Sequence, residues 1–264
     1  MTTDTTDRTT GQGSAGEADG ALRVATTGSR VLGIASLVGL AILLYCAFVW
    51  TPPEATQGDA VRLLYLHVPV VTAAYAGCLV TFVGSIFVLW KRSVWWDLVA
   101  ASSAEVAALF TALTLATGMI WGRSTWGVYW VWDARLTSTA MLFLLLLGYL
   151  AMRASSVDPD LRARRSAWLG VLLLPNMVLV HQSVEWWRSL HQAPTLFRDN
   201  LNPTIDGSML TTLVFGMFVF GVLFAWLVLH RFRVAWLRDQ AAEVGLRQAL
   251  AERRAEARAV GVVS

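Results

Sequence analysis

The sequence predicts an all-α, polytopic integral membrane protein with six transmembrane helices and an external tryptophan-rich interfacial segment, and three observations carry that prediction. Hydrophobic residues make up 56% of the 264-residue chain, charged residues only 15%, and the mean hydropathy is +0.54. Apolar runs recur at lengths suited to a hydrocarbon core about 30 Å thick, which an α-helix crosses in roughly 17 to 25 residues. The chain also holds 13 tryptophans, and four of them, Trp121, Trp126, Trp130 and Trp132, fall within one short stretch.

The runs are Val31–Trp50, Leu66–Trp90, Leu98–Trp121, Thr137–Met152, Ala167–Val184 and Met209–His230. Each is expected to be helical, because backbone polar groups in lipid must pair within their own segment. The first follows about thirty polar residues and leads into Thr51-Pro52-Pro53-Glu54 rather than a small-residue cleavage site, so it reads as an uncleaved anchor. The second opens with "YLHVPVV", placing Pro69 in a first turn where its missing N–H costs nothing. The third holds one intramembrane acid, Glu105, a functional candidate by default, although contact with a neighbouring helix or a small subunit accounts for it at least as well. The fourth is short, and Trp132, Ala134 and Leu136 extend it outward through the interface. Pro175 removes a backbone hydrogen bond from the fifth and should kink it. Residues 1–30, rich in Thr, Gly and Ser, read as a disordered cytoplasmic segment. Residues 31–230 form the membrane domain, with the motif at 121–138 inside it, and residues 231–264 a basic, helical cytoplasmic tail.

Lys and Arg concentrate in cytoplasmic loops. With both termini inside, only Arg62, Arg123, Arg135, Arg188 and Arg198 of the 21 basic residues fall outside. Topology and anionic lipid headgroups thus account for the net charge of +3 and the pI near 9.2, and nucleic acid is not an expected partner. This orientation makes Thr51–Tyr65, Trp121–Leu136 and Glu185–Ser208 the external loops. Cys46 and Cys78 stand singly, with no C-x-x-C-H for covalent haem attachment. No phosphate-cradling loop of the G-x-x-x-x-G-K-[ST] type occurs, so any ATP-driven step belongs to a partner and the chain reads as a carrier component rather than an enzyme.

Most of the tryptophans fit an aromatic belt at headgroup depth. The segment "WGRSTWGVYWVWDARLTS" differs because Trp121-Gly122 and Trp126-Gly127 repeat an aromatic–glycine pair, and glycine permits close backbone approach or tight turning. If the chain is helical from Trp126 onward, Trp126, Tyr129 or Trp130, and Asp133 share one face, an apolar π-rich shelf ending in a carboxylate. A large, flat, mostly apolar ligand with a few charged groups suits such a shelf, and a porphyrin is one. Of the four histidines, His67, His181 and His191 lie on the same side as the shelf, whereas His230 faces the cytoplasm. Two neutral imidazoles can hold haem iron axially. His181 and His191 would stand ~15 Å apart on a continuous helix, too far to clamp one iron, so one of them pairs with His67. The loop position of His191, beside Trp186 and Trp187, suits a ligand that enters and leaves, and His181 is the runner-up. Arg123, Arg135, Arg188 and Arg62 are the available cations for haem propionates.

Taken with "YLHVPV" and "HQSVEWWRSLHQ", the tryptophan-rich segment resembles the signature of the CcmC family of haem-handling membrane proteins in cytochrome c maturation, over about Val31–His230. The continuation "WDARLTS" is similar to this branch, whereas the related synthase component CcsA typically reads "WDPKE". Tyr129 departs from the pattern, standing where many relatives carry Trp. The resemblance implies that haem is presented on the external side of the cytoplasmic membrane, with His67 and His191 as axial ligands and the segment Trp121, Trp126, Tyr129, Trp130, Trp132 and Asp133 around it. It further implies transfer to the chaperone CcmE, with CcmA, CcmB and CcmD as partners. Haem delivery is therefore the leading expectation, with non-covalent haem b. A haem-retaining cytochrome b subunit would instead favour histidine pairs buried in helices, and a structural docking subunit would use the tryptophans only as a binding hot spot.

Overall fold

A computed structural model describes residues 27–191, 205 and 207–259, with side chains to residue 257. The expected disordered stretch therefore lies outside the described residues up to residue 26, as do Arg198, most of the loop after His191, and the last residues of the tail. Among the described residues, six helices are long and apolar enough to cross a membrane, as the sequence predicts. We label them α1 (Thr27–Trp50), α2 (Asp59–Lys91), α3 (Val94–Trp126), α4 (Ala134–Ser155), α5 (Pro159–Trp186) and α6 (Gly207–Ala259). The last turn of α1, Cys46–Trp50, is π-helical, and α2 opens with a 3-10 segment, Asp59–Leu63.

Two helix starts that the apolar pattern alone does not locate are set by aspartate caps. Asp158 caps α5 by accepting from the N–H groups of Asp160 and Leu161, with Pro159 in the first position where no N–H is needed. Asp133 caps α4 by accepting from the N–H of Arg135 at 2.9 Å. Three expectations are corrected here. The chain is not helical from Trp126 to Asp133: α3 ends at Trp126, Gly127 takes φ +79°, and Asp133 is extended. A left-handed glycine after the last helical residue is a common stop, so the proposed single helical face through Trp126, Trp130 and Asp133 does not form, and Trp132 does not extend α4. Pro69 also lies inside α2 rather than in its first turn, because the helix begins earlier than the apolar run. Finally, α6 continues unbroken beyond His230 to Ala259, through a stretch rich in Ala, Leu, Glu, Gln and Arg that favours helix, with an Arg247–Glu243 pair one turn apart.

The described residues within Met1–Ala73, Ala116–Trp130 and Pro194–Trp226 form one compact unit, and those within Ala74–Leu115, Val131–Ala193 and Leu227–Ser264 a second. In the first, Ala47, Val61, Leu64, Tyr65 and Leu213 make a buried core against which Val68 and Trp121 pack. A Cβ on Gly216 would stand 2.9 Å from the Pro69 ring and 3.2 Å from the Tyr65 carbonyl oxygen, so only glycine lets α6 approach this part of α2. Close approach through small residues is the usual source of helix association in lipid. In the second unit, Cys78, Ala100, Ala104, Ala107, Leu142, Leu146, Tyr149 and Leu173 form the core. Glu105 forms an ion pair there with Arg231 of α6, the neighbouring-helix contact among the alternatives.

The second unit is also tied by a buried ion pair. Arg153 donates to both carboxylate oxygens of Asp97, at 2.5 and 2.9 Å, with side chains only 14% and 8% exposed. Leaving one member of a buried pair alone is costly. Asp97→Asn is expected to lower stability by about 3–5 kcal/mol, and Gly216→Ala by about 1–3 kcal/mol through overpacking, both read as lost thermal stability of the detergent-solubilised protein.

Candidate functional site

In the first unit the site is built on one face of α3. Thr117, Gly118 and Trp121 stand at positions i, i+1 and i+4, and together they seat the imidazole of His67 from the first α-helical turn of α2. The Thr117 hydroxyl lies 2.8 Å from His67 Nδ1. A Cβ on Gly118 would be 3.1 Å from His67 Cε1, so the ring rests against bare backbone, and Trp121 meets it edge-on at 5.7 Å between centroids. The Trp121 indole N–H donates in turn to the Gln57 side-chain oxygen at 3.0 Å. Gln57 is held by its own N–H donating to the Glu54 carboxylate. That bond, with others from Thr56, keeps the Glu54 carboxyl below its ordinary pKa despite the opposing desolvation.

The end of α3 explains the repeated Trp-Gly pair. The Trp126 ring folds back over Gly122, where a Cβ would come within 3.1 Å of it, and Gly127 then stops the helix. Arg123 donates to the Gly127 carbonyl and lies over the Tyr129 ring at 5.8 Å, a cation–π contact. Tyr129 thus keeps an aromatic partner role. Trp126 and Trp130 are half-buried in this unit and Tyr129 is exposed. Arg62 is committed elsewhere: it donates to the carbonyls of Ala47 and Thr51 at 2.6 and 3.3 Å and to Asp59 at 2.9 Å, closing the end of α1.

In the second unit the site centres on Asp133. Its side chain is only 3% exposed, and besides capping α4 it accepts from the Leu190 N–H at 3.1 Å and lies 3.0 Å from His191 Nδ1. The His191 N–H donates to the Ser189 hydroxyl at 3.0 Å. One carboxylate therefore holds both the start of α4 and the segment just past α5. Burial works to raise the Asp133 pKa, but the Ser189 hydroxyl, the N–H groups of Leu190 and Arg135, and His191 together draw it below the usual carboxylate value. His191 is pushed below the ordinary imidazole range, chiefly by burial and further by Arg135, against the attraction of Asp133. A neutral ring is the form that ligates metal.

Arg135 donates to the His181 carbonyl at 3.2 Å, while the His181 imidazole itself is exposed on α5. Val131, Trp132, Asp133, Arg188, Ser189 and Leu190 line a shallow cleft of about 300 Å³. Trp132 is the most exposed tryptophan there, at 84%, and Trp186 and Trp187 lie edge-on to each other at 5.8 Å. The predicted residues are thus divided: His67, Trp121, Arg123, Trp126, Tyr129 and Trp130 belong to the first unit, and Trp132, Asp133, Arg135, Arg188 and His191 to the second. Sequence reasoning did not find Thr117 or Gly118. The only trace of them was a Thr-Gly pair in an apolar run, one turn before a tryptophan.

Six membrane-length helices with imidazoles, arginines and tryptophans gathered at helix ends define a multi-pass integral membrane protein whose polar chemistry sits at the helix termini. Over residues 14–262 the chain matches the family model of CcmC, Heme exporter protein C, and it belongs to that family. It is similar to Heme exporter protein C of Haemophilus influenzae, 34% identical over 218 residues, covering 81% of this chain and 86% of the relative. It is also similar to that of Escherichia coli, 36% identical over 206 residues (76% and 81%), and that of Bradyrhizobium diazoefficiens, 35% identical over 218 residues (83% and 82%).

Because the Asp133 carboxylate serves as cap and as anchor, two substitutions separate the roles. Asp133→Ala is expected to cost about 1 kcal/mol for the lost cap alone, and to expose the Leu190 and Arg135 amides to faster hydrogen exchange. Asp133→Asn retains a good cap, so the Arg135 amide should stay protected while protection around His191 weakens.

Proposed function

We propose that this chain is a haem delivery protein of the cytoplasmic membrane. It holds haem b non-covalently on the external face, with His67 and His191 as axial ligands of the iron, and passes it to the chaperone CcmE for maturation of c-type cytochromes. Haem is the cargo. The observation that carries the reading is that both imidazoles are anchored through Nδ1, by Thr117 and by Asp133. When Nδ1 carries the proton, Nε2 carries the lone pair, and metal-ligating histidines are typically oriented by such a partner.

The remaining residues fit the same cargo. Trp121, Trp126, Tyr129, Trp130 and Trp132 supply aromatic area for a porphyrin, which binds mostly by apolar burial with a few orienting polar groups. Arg188 borders the cleft beside Leu190 and is the first choice for a propionate, since guanidinium matches carboxylate geometry. Arg123 and Arg135 are further choices, because a guanidinium has five N–H donors and the carbonyls they hold do not use all of them. Asp133 acts through His191. The excess of basic residues in the segments on the side of the termini supports a cytoplasmic N- and C-terminus. The family resemblance supports CcmA and CcmB as the source of ATP-driven work and CcmD as a small companion. The polar N-terminal segment, the six-helix domain and the basic tail divide the chain accordingly.

Absorption and electron paramagnetic resonance spectra of the purified, haemin-loaded protein test the ligand assignment. The intact chain is expected to show a low-spin, six-coordinate iron, and His67→Ala and His191→Ala are each expected to convert it to a high-spin form and weaken retention. An unchanged low-spin spectrum in both variants would overturn the assignment.

A further inference from the structure

We propose that the turn between α2 and α3 is a headgroup site for an anionic phospholipid, with Lys91 and Arg92 holding the phosphodiester and a row of packed rings seating the lipid beside them. Every residue involved belongs to the second unit. None is part of the candidate site, so the lipid site stands whether or not haem is the cargo.

The turn joins two membrane-length helices: α2 ends at Lys91, Arg92 and Ser93 form the turn, and α3 begins at Val94. The end of two apolar spans lies at headgroup depth, where aromatic rings gather. Trp90, Val94 and Trp95 are 74%, 57% and 47% exposed, so this end of the unit is a surface. Phe87 stacks on Trp90 at 6.1 Å and on Trp96 at 4.5 Å. Trp95 meets Trp96 and the Phe232 ring of α6 edge-on, at 4.7 and 5.8 Å. The rings therefore brace one another as a platform rather than acting as separate anchors. The Lys91 ammonium stands over that platform, 5.1 Å from the Trp90 centroid and 5.4 Å from that of Phe87, within cation–π range.

Charge singles this turn out. Among the described residues, no carboxylate pairs with Lys91 or Arg92. Asp97, the nearest acid along the chain, receives bonds from Arg153 on both oxygens, and Arg231 of α6 is paired with Glu105. Where α5 begins, by contrast, Arg162, Arg164 and Arg165 have Asp158 and Asp160 close by in sequence. Arg92 also takes φ +50°, the left-handed conformation in which glycine often follows the last helical residue. An L side chain is strained there, so the backbone alone would favour glycine, and the guanidinium is present against that preference. Two adjacent cations without a counter-ion, at the depth of the lipid phosphates, suit one anionic headgroup. Guanidinium grips phosphate oxygens in pairs and ammonium adds a point charge.

Native mass spectrometry of the full chain, released from micelles containing phosphatidylglycerol or phosphatidylcholine, counts the lipids retained. The intact chain is expected to keep phosphatidylglycerol in preference. Lys91→Gln and Arg92→Gly are each expected to weaken that retention about fivefold, the scale of one basic side chain at an anionic surface. Because Arg92→Gly relieves the left-handed backbone, its thermal stability in lipid-free detergent should stay level or rise while stabilisation by phosphatidylglycerol falls. That divergence separates a lost headgroup from a lost fold. Arg164→Gln combined with Arg165→Gln should leave the preference intact. Equal retention of the two lipids by the intact chain would reduce the rings to an aromatic belt indifferent to headgroup charge, and overturn the site. An unchanged preference in Lys91→Gln and Arg92→Gly, or its loss in the double variant on α5, would overturn it by placing the anion elsewhere. Equal stabilisation by inorganic phosphate without lipid would also overturn it, marking a site for the free ion.

Discussion

Backbone N–H and C=O groups inside hydrocarbon have no water to pair with, and this constraint distributes the polar chemistry of the whole chain. Within the helices, hydroxyls fold back onto carbonyls one turn earlier, as Thr81, Thr111 and Thr114 do, so these side chains are satisfied within their own segments. At each helix terminus up to four backbone groups stay open, and several of the chain's cations and acids stand there. Arg62 takes up carbonyls at the end of α1, Arg123 at the end of α3, and Arg135 one on α5. Asp133 takes up an N–H at the start of α4. At the end of α3 and the start of α4, the bonds that bound the helix also orient candidate-site residues.

Asp133 shows how closely the two demands are joined. A short carboxylate is a preferred N-cap because it reaches back to the second or third N–H of the helix. That geometry leaves its second oxygen pointing away from the helix, and here Leu190 and His191 meet the pair of oxygens. The site on the second unit is thus a by-product of starting α4 correctly. On the first unit the equivalent economy is found in α3, where the spacing of Thr117, Gly118 and Trp121 on one face offers an acceptor, a gap and an aromatic edge to a single ring.

The six spans were legible in the sequence because hydropathy summed over about twenty residues is a local, additive signal. Their ends were not, because they depend on caps and hydroxyls. The apolar pattern stops at Trp121, yet α3 continues to Trp126, with Ser124 and Thr125 donating to the Trp121 carbonyl. The Trp-Gly repeat was correctly read as a place of close approach and turning, but a continuous helix through it was not compatible with the left-handed turn that Gly127 makes. Asp133 carried a legible signal of a different kind, an N-cap residue directly ahead of an apolar helical run, which the shelf reading passed over. His67 and His191 stood out by residue type. Thr117 and Gly118 did not, because small residues acquire a role only through the ring that packs on them, and that pairing is a property of the fold.

A protein that carries a large apolar cargo and must also surrender it faces opposed requirements, and under the function proposed above the residues of each unit meet them by separating affinity from direction. Aromatic area binds a flat ring without directional bonds, so it adds affinity while placing little barrier on a sideways departure. Directional hold is confined to a few ligands at helix ends, where local opening is easier than in the packed interior. Anchoring each imidazole through its far nitrogen keeps the ring from wandering when the cargo is gone, so little ordering entropy must be paid again at the next loading. In the proposed delivery role the tryptophans serve as a surface and the histidines as a latch, each imidazole being held by the partner of its far nitrogen.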